Sequence, residues 1–212
     1  ASRGFFQAFG VGDWPTLEKV LIGTVKAPRT IRDRLEIYGE FCSRMLEKTM
    51  RDVDPEFIYL GEPIADNRGP LISPAMFEEF MKPVYERIVA TAKGLGCDNL
   101  LVSTYGNARL LFPILMDAGI SMLWVSEAPE VPELDYRRIR GELGPGVGLI
   151  GGIPLSILRS RAPEVIRSRL EEIVPPLLES GRYVPLAAGR VREEIPWAVY
   201  KCYREVLAEL IG

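Results

Sequence analysis

The chain has 212 residues, 47% of them hydrophobic, with a formal net charge of −3 and a sequence pI of about 5.3. That is enough apolar material for one globular domain over residues 1–212, and the acidic balance argues against nucleic acid or an anionic membrane as partner. Histidine is absent, which excludes Ser–His and Cys–His nucleophiles and a His-based zinc site.

The predicted elements follow in order. Residues 1–14 are aromatic and glycine-rich, and read as the inside of a larger protein. Pro28 opens a helix in which Ile31, Leu35, Tyr38, Cys42, Met45 and Leu46 share a face at steps of three and four. It is expected to end near Asp54-Pro55. FIYLGEP then fits a buried strand. A loop with Gly61, Pro63, Asn67, Gly69 and Pro70 leads to Ser73-Pro74, a capping residue followed by a proline suited to the first helical turn. The helix after it carries Pro83 as a kink. NLLVSTYG is a strand and ARLLFPILMDAG a helix. SMLWVSE is a strand, with a short helix at 135–143. VGLIGGI is a strand and 163–180 a helix. YVPLAAG is the last strand and EIPWAVYKCYREVLAEL the last helix.

Strand and helix alternate through five units, the pattern of a parallel sheet with crossover helices. A (β/α)8 TIM-type barrel takes about 250 residues, so the barrel reading implies an incomplete barrel of about five βα units. An open doubly wound parallel sheet is the alternative.

In both architectures ligands meet the carboxyl ends of the strands. Those ends carry Glu62 with Asp66, Asn67 and Arg68 beyond it; Ser103, Thr104, Tyr105 and Asn107; Ser126 and Glu127; Gly151 and Gly152; and Arg190 with Arg192. Arginine grips carboxylate or phosphate through two hydrogen bonds, and an ion pair of Arg190 with Glu193 or Glu194 is the structural alternative. Glu62 and Glu127 also fit solvated loop acids. The double glycine fits a tight turn as well as a ligand cradle. Without histidine, acid–base work falls to carboxylates, tyrosine, lysine, cysteine or water. Cys42, Cys97 and Cys202 are too far apart for a CxxC site and fit buried or free thiols in a reducing compartment. No apolar run approaches the ~20 residues of a membrane span, and the expected location is the cytoplasm.

Several segments in order resemble the uroporphyrinogen decarboxylase superfamily, which includes zinc-dependent cobalamin methyltransferases. They are RGPLISPAMFEEFMKPVYERI, LLVSTYGNARLLFPILMDAGISML, LDYRRIRGELGPGVGLIGGIP, APEVIRSRLEEIV and GRYVPLAAGRVREEIPWAVYKCYREVL. The resemblance implies a (β/α)8 barrel with a tetrapyrrole-sized cleft at the carboxyl rim, entered here near its third strand. In the methyltransferase branch a His-x-Cys-Gly-Asn run ends one strand. Gly106-Asn107 matches its last two residues, while the metal ligands fall on Ser103 and Tyr105, and a later cysteine falls near Arg190. The resemblance therefore implies no metal here and no cofactor. It points to a decarboxylase-like lyase site for an anionic tetrapyrrole-like ligand. Glu62, Asp66 and Tyr105 would be the catalytic groups. Arg68, Ser103, Asn107, Glu127, Gly151, Gly152, Arg190 and Arg192 would bind the ligand. A corrinoid-linked methyltransferase is the second enzymatic reading. The third is a non-catalytic barrel completed by a second copy or by a separate amino-terminal piece.

Overall fold

The computed structural model describes residues 4–127 and 130–212. Five strands, β1 (Ile58–Glu62), β2 (Leu100–Tyr105), β3 (Met122–Ser126), β4 (Gly148–Ile153) and β5 (Tyr183–Ala187), follow one another across one sheet in chain order. The pairs β1–β2 and β4–β5 are parallel. A doubly wound sheet reverses its strand order at a switch point, and this sheet does not, so its topology is that of an incomplete TIM-type barrel. Two compact units meet in the chain at Leu123–Trp124.

The first unit opens with α1 (Gly4–Ala8) and α2 (Trp14–Lys26). The pattern from 1 to 27 did not reveal either. Asp13 caps α2 by accepting the Thr16 N–H at 2.8 Å, and Pro15 suits its first turn. Helix α3 (Pro28–Thr49) buries Ile31, Leu35 and Cys42 as its spacing predicts. It ends at Thr49, short of Asp54-Pro55, and its period carries Met45 out to solvent. The Ser73 hydroxyl caps α4 (Pro74–Phe80), accepting from Met76 N–H. The expected kink is a break: α4 stops, and α5 (Lys82–Gly94) restarts with Pro83 in its first turn. The stretch after β2 is a 3-10 turn followed by the short α6 (Phe112–Asp117).

Because side chains alternate across a strand, Ile58, Leu60 and Glu62 share one face with Leu100, Val102 and Thr104. That face meets the helices: Ile58 and Leu60 line one apolar pocket with Cys42, Leu46 and Ile88. Tyr59, Gly61, Leu101, Ser103 and Tyr105 occupy the other face.

The second unit holds α7 (Tyr136–Leu143), the short α8 (Leu155–Arg159), α9 (Pro163–Glu179) and α10 (Trp197–Ile211) around β4 and β5. Its core is Leu149, Ile153, Ile166, Leu170, Val174, Leu177, Tyr203 and Leu207, all buried. Val184, on the opposite face of β5, is 52% exposed. Pro185 sits in β5, the last strand of the sheet, where a missing N–H is tolerated. Below the strands Arg140 donates to the carbonyls of Gly144 (3.0 Å), Val147 (2.5 Å) and Gly181 (2.8 Å), tying the amino ends of β4 and β5 together. None of the helices is long and apolar enough to cross a membrane among the described residues.

Candidate functional site at the carboxyl ends of the strands

Glu62 closes β1 and is fully buried, not a solvated loop acid. Its carboxyl accepts the Phe5 N–H at 3.0 and 3.2 Å and the Tyr85 hydroxyl at 2.6 Å. Burial pushes it up to about 7, with the two hydrogen bonds pulling the other way. Burial and the neighbouring Glu62 push the Tyr85 phenol well above its ordinary value, so it remains a donor. Sequence reading found neither partner. Tyr85 lies 23 residues from Glu62 in the chain and Phe5 lies 57, too far for a local pattern to link them.

Asp66 and Arg68 turn towards each other. Asp66 accepts the backbone N–H groups of Arg68 (2.7 Å) and Gly69 (3.1 Å) and the Arg68 guanidinium (3.0 Å). Those bonds hold its carboxyl below the ordinary value. This loop also seats the end of β2: Asn107 N–H donates to the Asp66 carbonyl at 2.7 Å. Gly106 is required there. Its φ is +62°, and a Cβ would stand 2.5 Å from the Asp66 carbonyl oxygen. The Asn107 side chain reaches back to Arg109 N–H at 3.4 Å, a turn role.

Ser103 and Thr104 are buried, and neither hydroxyl has a hydrogen-bond partner. An unpaired buried hydroxyl is costly, and Ser103 lies on the strand face turned away from the helices, with the half-buried Tyr105. Thr104 stands beside Glu62 in register.

In the second unit Glu127 and Arg190 come together. Glu127 follows β3 at φ +50°, a left-handed conformation that a non-glycine residue holds under strain. Its carboxylate accepts Arg190 N–H at 3.2 Å and pairs with Arg190 Nε at 3.4 Å. The partner of Arg190 is thus Glu127, and Glu194 instead pairs with Arg159. β3 and β5 flank β4, so this link spans the end of the strand carrying Gly151 and Gly152. Both glycines have positive φ (112° and 81°), and a Cβ on Gly152 would stand 2.6 Å from the Tyr136 ring. The two glycines thus lie within β4 itself, paired with Pro185 and Leu186, and not in a turn, and Tyr136 fills the space that Gly152 leaves. The Tyr136 hydroxyl accepts Val125 N–H and donates to the Ile150 carbonyl, locking β3 and β4 to the start of α7. Arg192 is exposed and has no ion-pair partner among the described residues.

Sequential parallel strands with helices packed around them define an α/β protein of the incomplete TIM-barrel type. The chain belongs to the uroporphyrinogen decarboxylase family: the model of that family, Uroporphyrinogen decarboxylase (URO-D), matches residues 13–189. Among solved structures a methyltransferase from Methanosarcina mazei is similar in fold, with a TM-score of 0.66 at 18% identity. The match covers 99% of this chain and 58% of that one, so the chain spans a little over half of this neighbour's length. No curated relative matches the chain.

A zinc ion, which the methyltransferase branch of the superfamily implies, does not fit the residues present. Its ligand positions hold the hydroxyls of Ser103 and Tyr105 and the Arg190 guanidinium, a cation already on Glu127. Among the described residues no three His, Cys, Asp or Glu side chains gather to hold a metal.

Proposed function

We propose that the chain binds an anionic, tetrapyrrole-like organic ligand at the carboxyl ends of its strands and that its chemistry is of the decarboxylase, metal-free lyase type. The observation that carries this reading is Arg190. It is the first cation after β5, its side chain is 67% exposed, and Glu127 aligns it through Nε alone. The two terminal nitrogens remain for a ligand carboxylate. Arg192, exposed and without an ion-pair partner among the described residues, supplies further positive charge after β5, whereas the charge of Arg68 is met by Asp66. At the end of β2 the unpaired Ser103 hydroxyl is a hydrogen-bonding group for a ligand. Loss of CO2 from an acid side chain leaves an electron pair on carbon that must take up a proton. Tyr105 is the donor in this reading.

A fluorescence titration with a polycarboxylate porphyrin tests it. Trp124 in β3 and Trp197 at the start of α10 are the reporters. Saturable quenching at micromolar ligand, weakened about tenfold or more by Arg190→Ala, is the expected result. Absence of saturable quenching removes the tetrapyrrole class.

The neighbour is a methyltransferase, which favours methyl transfer as a second reading, the corrinoid donor being what the family resemblance implies. Stoichiometric zinc in the purified chain would overturn the argument against a metal and revive that reading over the first.

A further inference from the structure

Helix α1 and the turn after it form a strap. Phe9 N–H and Val11 N–H both donate to the Phe6 carbonyl, closing the segment on itself. Phe5 and Phe6 are buried, and Phe5 packs edge-on to Phe6 at 5.1 Å. The strap is held at two points. One is Arg34 of α3, whose Nε donates to the Ala8 carbonyl at 3.3 Å while its guanidinium lies 5.4 Å from the Phe9 ring. The other is Glu62. Gly4 approaches so closely that a Cβ would stand 2.3 Å from Glu62 Oε1 and 2.8 Å from the Gly61 carbonyl. The carboxyl at the end of β1 is thus sealed from water by this segment and by Tyr85.

We propose that the segment from Gly4 to Val11 is a proton-controlled strap: it lies over the end of β1 while Glu62 is neutral and lifts when Glu62 ionises.

The physical basis is desolvation. Glu62 receives one N–H from α1 and one hydroxyl from α5. Beside it stand Tyr85 of α5 and Thr104 of β2, its register partner, and Tyr38 and Cys42 of α3 act electrostatically on Tyr85. None of these is a cation, and no Lys or Arg pairs with Glu62 among the described residues. Two hydrogen bonds offset only part of the cost of burying a charge. Lifting the strap lets water reach the carboxylate while the helices and β2 remain in place. With the strap down, Glu62 binds its proton up to a pH of about 7, against 4.5 for the ordinary carboxyl. By linkage the strap loses ground over that window as pH rises and is steady outside it.

Hydrogen exchange followed by mass spectrometry on the whole chain tests this. Protection of the strap amides is measured between pH 5 and 8.5, after the intrinsic pH dependence of exchange is divided out. The β2 and α5 amides serve as an internal reference. In the unsubstituted protein strap protection is expected to fall on the order of 100-fold as pH rises, with β2 protection unchanged. In Glu62→Gln strap protection is expected to be flat with pH. In Tyr85→Phe, which removes a donor to the carboxylate, the fall is expected to move to higher pH. Strap protection that ignores pH in the unsubstituted protein overturns the proposal. So does a fall that persists in Glu62→Gln, or a strap that loses protection only together with β2. If Glu62→Gln does not fold, Tyr85→Phe decides: a fall that stays at the same pH overturns the proposal.

Discussion

Gly152 lies at φ +81° against the Tyr136 ring, and its hydrogen is the only side chain that fits. Gly152→Ala combines a strained backbone with a steric clash, and is expected to cost about 2–4 kcal/mol of stability in urea unfolding. Gly146→Ala is the control. Nothing lies within 4 Å of its Cβ position and its φ is ordinary, so the change is expected to be neutral or stabilising by under about 1 kcal/mol. Equal effects from the two substitutions would remove the packing argument. Glu127 offers a separate test at this scale. It aligns Arg190 from a strained backbone, and the pair is part-exposed. Glu127→Gln is expected to change stability by less than about 1 kcal/mol while weakening porphyrin binding through a misplaced Arg190. Unchanged binding would show that Arg190 needs no alignment.

Caps and stitches set the scale of elements. Ser73 accepts the Met76 N–H at the start of α4, and Ser73→Ala is expected to cost about 1 kcal/mol, read from the urea midpoint. Arg140 is a larger case. It is buried and donates to four carbonyls at the amino ends of β4 and β5. Arg140→Met keeps the volume and removes the donors, and is expected to cost about 3 kcal/mol or more. A loss under 1 kcal/mol would mean that water replaces the guanidinium. Ser73 was legible in the sequence because a cap works within three residues. Arg140 was not, because its acceptors lie up to 42 residues away and carbonyls leave no mark in a sequence.

For the whole molecule, Glu62 sets a pH dependence of stability. Its carboxyl is raised from 4.5 to about 7 in the folded protein, so the folded state holds more protons than the unfolded one between those values. Stability from this group is fully present below pH 4.5 and is lost as pH rises through 7, by roughly 3 kcal/mol in total. Urea midpoints are therefore expected to fall between pH 5 and pH 8, and Glu62→Gln to flatten that slope. A midpoint that rises over this range in both proteins would show that other groups dominate.

The sequence by itself determined the strand–helix alternation, the family, the cap at Ser73 and the carboxyl ends at which polar residues gather. Each of these rests on periodicity or on chemistry within a few residues. Tertiary structure alone decided that Glu62 is sealed by Phe5 and Tyr85, that Arg190 pairs with Glu127 and not with Glu193 or Glu194, and that Asp66 and Arg68 engage each other. It also revealed α1 and α2, in a stretch to which the sequence pattern assigned no element. Burial and pairing depend on which distant segments meet, and for Glu62 that meeting spans 57 residues of chain.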